Sequence, residues 1–214
     1  MPKLKPTPAP PPPAAQPKRY AQSTMICGAR GTGKSTLMKS IIDNTKYENV
    51  LVYLEPINIE ERTFHPLPVV SPLSRYAGGK AIVDASEVDF TTLITKVEKY
   101  YRNGMLVIDE AGLYDVMQRN KLNGNIEPIK PLLYILKNQR KLNISLFFIY
   151  HSLSEIPVRL IKFMNNFVLF HQNDEFGHKG AVIPRIDELK AMQLRIREKY
   201  FAGNKYYAER LELS

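Results

Sequence analysis

"STMICGARGTGKSTLMKS", residues 23–40, changes character twice. Ser23 to Cys27 is a short β-prone run. Gly28 to Gly33 holds three glycines. From Lys34 onward the apolar residues Leu37, Met38, Ile41 and Ile42 recur at helical spacing. The reading is strand, glycine-rich turn, helix. Within it "GARGTGKS", Gly28–Ser35, fills every required position of the phosphate-binding loop pattern G-x-x-x-x-G-K-[ST]. The glycines let the backbone curl, so the N–H groups of Gly28, Ala29, Arg30, Gly31, Thr32 and Gly33 can face inward. Those groups and the helix N-terminus bind phosphate oxygens. Lys34 is expected to reach the β- and γ-phosphates, Ser35 to ligate Mg²⁺, and Thr36 to contact the α-phosphate. The expected ligands are therefore ATP and Mg²⁺.

A second stretch, "MLVIDEAG" at 105–112, is apolar for four residues and then sets Asp109 beside Glu110. In a P-loop fold such a strand is expected to lie beside the P-loop strand, its terminal Asp109 supporting the Mg²⁺ shell. Glu110 needs its own task. A carboxylate aimed at the γ-phosphate polarises a water for in-line attack. A small-molecule kinase has no use for that group, because it must exclude water. The adjacent acids thus favour hydrolysis over transfer. Further on, "ISLFFIYHS" is expected to end beside the P-loop, where His151 would meet the γ-phosphate or the attacking water. "KNQRK", 137–141, offers Arg140 as an arginine finger for a neighbouring subunit's ATP. Arg75, Arg119 and Arg159 are weaker candidates for that task.

Around these motifs the chain alternates apolar strands and helical segments. Strands are expected at 23–27, 49–54, 81–85, 105–109, 144–150 and 167–172. Helices are expected at 34–44, 89–102, 127–141, 155–164 and 184–198, with a C-terminal hairpin turning near Ala202–Asn204. The central strands are continuously apolar, the pattern of parallel strands covered on both faces. The expected fold class is α/β: a three-layer P-loop NTPase with a mainly parallel sheet flanked by helices, which by its quoted motifs resembles the RecA/FtsK-like form of that fold.

Composition narrows the class further. Residues 1–20 hold eight of the sixteen prolines, with Lys3, Lys5, Lys18 and Arg19 and no acid. They read as a disordered basic arm, leaving 21–214 as a single ATPase domain. Net charge is +9, which favours polyanionic partners. The single cysteine, Cys27, excludes an intramolecular disulfide. No apolar run approaches the roughly 18 residues of a membrane span, and no signal peptide is evident, so an intracellular chain is expected.

With these residues in place the chain resembles the FtsK/HerA superfamily of P-loop motors. More narrowly, it resembles the genome-packaging ATPases of tailless, membrane-containing icosahedral DNA viruses. The resemblance spans about residues 22–174 and rests on "GARGTGKS", "MLVIDEAG" and "NQRKLNISLFFIYHSLSEIPVRLIKFMNNFVLF". It implies Mg²⁺-dependent ATP hydrolysis driving DNA through a homo-oligomeric ring, commonly hexameric, with an arginine supplied in trans. It also implies a host-cytoplasmic or virion-associated location and vertex or membrane-protein partners. The family usually has Gln where this chain has His151. Zonula-occludens-toxin-like phage assembly ATPases share much of the same core.

Three readings follow: a DNA translocase, a small-molecule kinase, and a scaffold that uses nucleotide only to assemble. For the first, sequence-nonspecific grip on the DNA backbone is expected. The polar segment 117–130, "MQRNKLNGNIEPIK", is a candidate for the channel face.

Overall fold

In the computed structural model, residues 21–55, 64, 67–70, 73–119, 125–176 and 183–213 are described. The proline-rich arm, 1–20, lies outside the described residues. The strands are β1 (Ser23–Cys27), β2 (Asn49–Leu54), β3 (Lys80–Asp84), β4 (Gly104–Ile108), β5 (Met117–Arg119), β6 (Ile126–Pro128), β7 (Ile144–Tyr150), β8 (Asn166–Phe170) and β9 (Ala208–Glu212). The helices are α1 (Lys34–Asn44), α2 (Phe90–Tyr100), α3 (Lys130–Leu142), α4 (Val158–Ile161) and α5 (Ile186–Phe201).

Seven strands form one sheet in the order β3-β2-β4-β7-β1-β8-β9. The first six run parallel, and β9 alone pairs antiparallel, on β8. Side chains alternate across the sheet. Met25, Leu51, Leu106, Leu146 and Phe148 face one core, which α2, α3, α4 and α5 cover through residues such as Leu93, Leu132, Leu160 and Leu189. Ile26, Val52, Val107, Phe147 and Ile149 face a second core, covered by Met38 and Ile42 of α1. Two-sided burial is why these strands read as unbroken apolar runs rather than alternating ones. The result is the expected three-layer P-loop NTPase fold.

Some local expectations change. β4 does not lie beside β1, because β7 stands between them and pairs with both. Of the channel-face candidate 117–130, residues 120–124 lie outside the described residues. Its ends pair as the short antiparallel ribbon β5–β6, which delays the start of the following helix to Lys130. Pro131 sits in the first turn of that helix, where its missing N–H costs nothing. The predicted helix over 155–164 shrinks to a 3-10 turn at Leu153–Glu155 and the short α4. The C-terminal antiparallel pair is β8–β9. The chain does reverse after Phe201, but the arm entering the turn is the end of α5, and β9 finds its partner in β8.

Phe148 sits at the centre of the larger core and is fully buried. Phe148→Ala should cost about 3–5 kcal/mol of unfolding free energy, read as a lowered midpoint in chemical denaturation.

Candidate functional site

All six parallel strands end along one edge of the sheet, and the motif residues collect there. Gly28 N–H donates to Tyr150 O at 3.2 Å, so the loop leaves β1 beside the last residue of β7. Ala29 N–H donates to His171 O at 2.8 Å, which fixes the loop's other flank to the end of β8. Two glycines have steric reasons. A Cβ on Gly28 would lie 2.5 Å from Cβ of Phe170, a contact that backbone would have to move to relieve. Gly33 has φ 98°, in the left-handed region that other residues enter only with strain. Thr32 Oγ1 donates to Ala29 O at 2.7 Å and closes the loop on itself.

Gly33 is also the N-cap of α1, and it supplies no side-chain cap. By contrast α2 is capped by Asp89, whose carboxylate accepts from Thr92 N–H at 2.9 Å. The first-turn N–H groups of α1 therefore turn their partial positive charge towards the loop, the ordinary arrangement for binding an anion. Lys34 is buried there, its Nζ donating to Gly28 O at 2.6 Å and Ala29 O at 2.8 Å. Burial lowers its pKa; Cys27, Asp109 and Glu110 act in the opposite direction. Ser35 is half-buried and Thr36 exposed on the following turn.

The strand β4 delivers Asp109 and Glu110, both buried, to the same edge. Asp109 Oδ1 accepts the Glu110 N–H at 3.0 Å. Its carboxyl pKa is raised, chiefly by burial and further by Glu110; that Glu110 N–H, His151 and Lys34 pull it down. Glu110 holds φ 49°, a left-handed conformation that costs a non-glycine residue on the order of 1–3 kcal/mol. The strained turn aims its carboxylate back across the sheet. Glu110 Oε1 lies 3.0 Å from His151 Nε2 and 3.5 Å from Arg30 Nη2. Arg30 is largely solvent-exposed, so the second contact adds little.

His151 thus meets Glu110, the acid expected to activate water. Its position is set from behind: His151 N–H donates to Glu155 Oε2 at 3.2 Å. Glu155 in turn packs closely on Gly112, where a Cβ would lie 2.8 Å from Glu155 Oε2 and 3.1 Å from its Cβ. Sequence reasoning missed Glu155. The pairing of Gly112 in "DEAG" with Glu155 in "HSLSEIP" was available only through the fold. Asp174 was missed too; its carboxylate accepts from Ser152 Oγ and, at 3.3 Å, from Ser154 N–H, bracing the same turn.

Arg140 is not brought to this edge. It is exposed near the C-terminus of α3, at the opposite end of β7, facing a cleft of 430 Å³ lined also by Lys137, Lys141 and Phe163. The chain cannot present it to its own P-loop. Arg159 is engaged with Ile126 O at 2.8 Å, while Arg75 and Arg119 are exposed.

Among the described residues no group of three His, Cys, Asp or Glu side chains is placed to hold a metal unaided. One hydroxyl, Ser35, and one buried carboxylate, Asp109, suit Mg²⁺, which keeps several waters and takes its remaining oxygens from phosphates. Among the described residues no helix is long and apolar enough to cross a membrane.

The strand order and the P-loop at its edge define a P-loop NTPase fold with one strand inserted between the P-loop strand and the acid-bearing strand. No protein-family model matches the chain, and no curated protein matches it in sequence. Solved structures do match. The genome packaging NTPase B204 from Sulfolobus turreted icosahedral virus 2, in complex with ATP-gammaS, is similar at TM-score 0.65 and 16% identity, over 91% of this chain and 93% of that one. B204, the DNA-packaging ATPase from Sulfolobus turreted icosahedral virus, is similar at TM-score 0.64 and 17% identity, over 90% and 92%. The N-terminal domain of zonular occludens toxin from Neisseria meningitidis gives TM-score 0.46 at 14% identity, over 72% and 78%.

The elevated pKa of Asp109 has a measurable sign. A buried carboxyl that resists ionisation favours the folded state while protonated. That contribution is lost as pH rises from the ordinary aspartate range through the raised folded value. Asp109→Asn keeps an oxygen for the Glu110 N–H and removes the charge. With chelator present at neutral pH it should raise the melting temperature. The gain should shrink to nothing in acid, which differential scanning calorimetry across pH would read.

Proposed function

We propose that this protein is an ATPase of the FtsK/HerA type that hydrolyses ATP to drive DNA, the motor of a viral genome-packaging machine. The observation that carries the proposal is Glu110: a second buried carboxylate, one residue past Asp109, strained into place and hydrogen-bonded to His151 at the P-loop edge. In this reading Lys34 and the loop amides hold the β- and γ-phosphates. Glu110 takes a proton from water as the water oxygen attacks the γ-phosphorus and the bond to the β–γ bridging oxygen breaks. His151 positions Glu110 and shares its hydrogen bond with the incoming water. Ser35 and Asp109 would hold Mg²⁺, whose charge offsets that developing on the phosphates.

DNA as the partner has separate support. The turns that follow α2 and α3 are joined, Asn103 N–H donating to Leu142 O at 3.2 Å and Asn143 Nδ2 to Asn103 Oδ1 at 3.2 Å. Beside that junction Lys99, Lys137 and Lys141 are exposed, a basic rim on the edge away from the P-loop. Such a rim, with the net charge of +9, suits a phosphate backbone read without sequence preference. The structural likeness to B204 supports the packaging role. Because Arg140 lies far from the P-loop of its own chain, its finger role requires a neighbour, which a hexameric ring supplies. The arm, residues 1–20, is then a tether to vertex or membrane proteins, and the chain works in the host cytoplasm and at the virion.

The test is Glu110→Gln. The variant should bind ATP as the wild type does and lose about 10²–10⁴-fold in phosphate release, with and without DNA. A small-molecule kinase would keep most of its transfer activity after the same change. Wild-type protein that turns over no ATP with either single- or double-stranded DNA would overturn the motor and leave the assembly-scaffold reading.

A further inference from the structure

The flank of the P-loop away from the carboxylates is aromatic. In the sheet β7 and β4 lie on one side of β1, and β8 and β9 on the other. Asp109, Glu110 and His151 all belong to the first side. If the terminal phosphate lies there, as the proposed function requires, the other end of the nucleotide must leave over β8 and β9. On that flank stands Tyr206. A Cβ built on Gly33 would lie 3.1 Å from Tyr206 Cδ1, so the ring rests against the start of α1.

Tyr206 is 72% exposed although its backbone is held on both sides. Before it, Asn204 N–H donates to Lys199 O at 2.9 Å. After it, Tyr207 N–H donates to Asn204 O at 3.3 Å and Tyr207 Oη to Glu209 Oε1 at 3.0 Å. Glu209 is itself clamped by Arg195, whose Nε lies 2.9 Å from the same oxygen. The segment is also tied to the loop from below. The His171 ring stacks on Tyr200 at 3.7 Å and 14°, while its carbonyl receives the Ala29 N–H. An exposed ring on a fixed backbone is pre-organised to stack, since little freedom remains to be lost when a flat ligand arrives.

We propose that Tyr206 is the platform on which the nucleobase of the bound triphosphate stacks, and that it makes the site selective for purines over pyrimidines. The proposal rests on the triphosphate reading of the P-loop. A ring face offers π-surface and no donor–acceptor code, so it favours the larger base and discriminates poorly between adenine and guanine.

The test is calorimetric titration of the full chain, as wild type, Tyr206→Ala and Tyr206→Phe, with Mg²⁺ and either ATP, GTP, CTP or inorganic tripolyphosphate. Tyr206→Ala should bind ATP and GTP about tenfold more weakly, lose most of the preference over CTP, and bind tripolyphosphate as before. Tyr206→Phe should behave as the wild type. Unchanged tripolyphosphate binding also shows that the variant is folded. Equal ATP affinity in Tyr206→Ala and wild type would overturn the platform alone, and so would parallel losses of ATP and tripolyphosphate. A wild-type chain that binds neither ligand would overturn the triphosphate site itself, and the platform with it.

Discussion

Gly28 donates its N–H to Tyr150 O, the final rung between β1 and β7, and the geometry of the site descends from that rung. It puts the start of the P-loop one residue from His151. The rungs on the far side of β7 place Ile108 against Phe148, which delivers Asp109 and Glu110 to the same edge. β7 therefore works as a bridge. Through it the P-loop and the acid pair, carried by strands that do not pair with each other, meet at one edge of the sheet.

Two opposing demands meet there. Burial makes Lys34 and Asp109 costly to charge, so their pKa values move towards each other. A folded core alone would have no reason to keep an ammonium and two carboxylates this dry. Glu110 adds backbone strain to that cost, and the larger apolar core beneath, with Phe148, Ile108 and Leu106 fully buried, supplies the stability that offsets it. Charges that water cannot screen act more strongly on a phosphate than exposed ones would.

Much of this was legible in the sequence because it is local. The loop, the helix after it and the acid-ended strand each span a dozen residues or fewer, and their chemistry is written in adjacent positions. The α/β class followed from the unbroken apolar strands. What was not legible is long-range. Nothing in "MLVIDEAG" says which strand lies next to it, so the expected β1–β4 adjacency was wrong. Nothing local ties Gly112 to Glu155, or Tyr206 to Gly33. The C-terminal turn was read near Ala202–Asn204, yet the arm before it prefers α5, because Leu189, Met192 and Ile196 bury a helical stripe against the sheet. β9 was then free to seek β8, a partner about forty residues away.

The alternation of side chains between the two cores has a consequence for how such a chain can change over generations. In β7, Leu146, Phe148 and Tyr150 serve one core and Phe147 and Ile149 the other, and His151 inherits its direction from that count. Inserting or losing a single residue in this strand would turn the residues beyond it to the opposite core and swing the imidazole off Glu110 at once. Length drift is thus confined to the connections between strands, and the edge that carries Gly28, Asp109, Glu110 and His151 is inherited as one indivisible spacing.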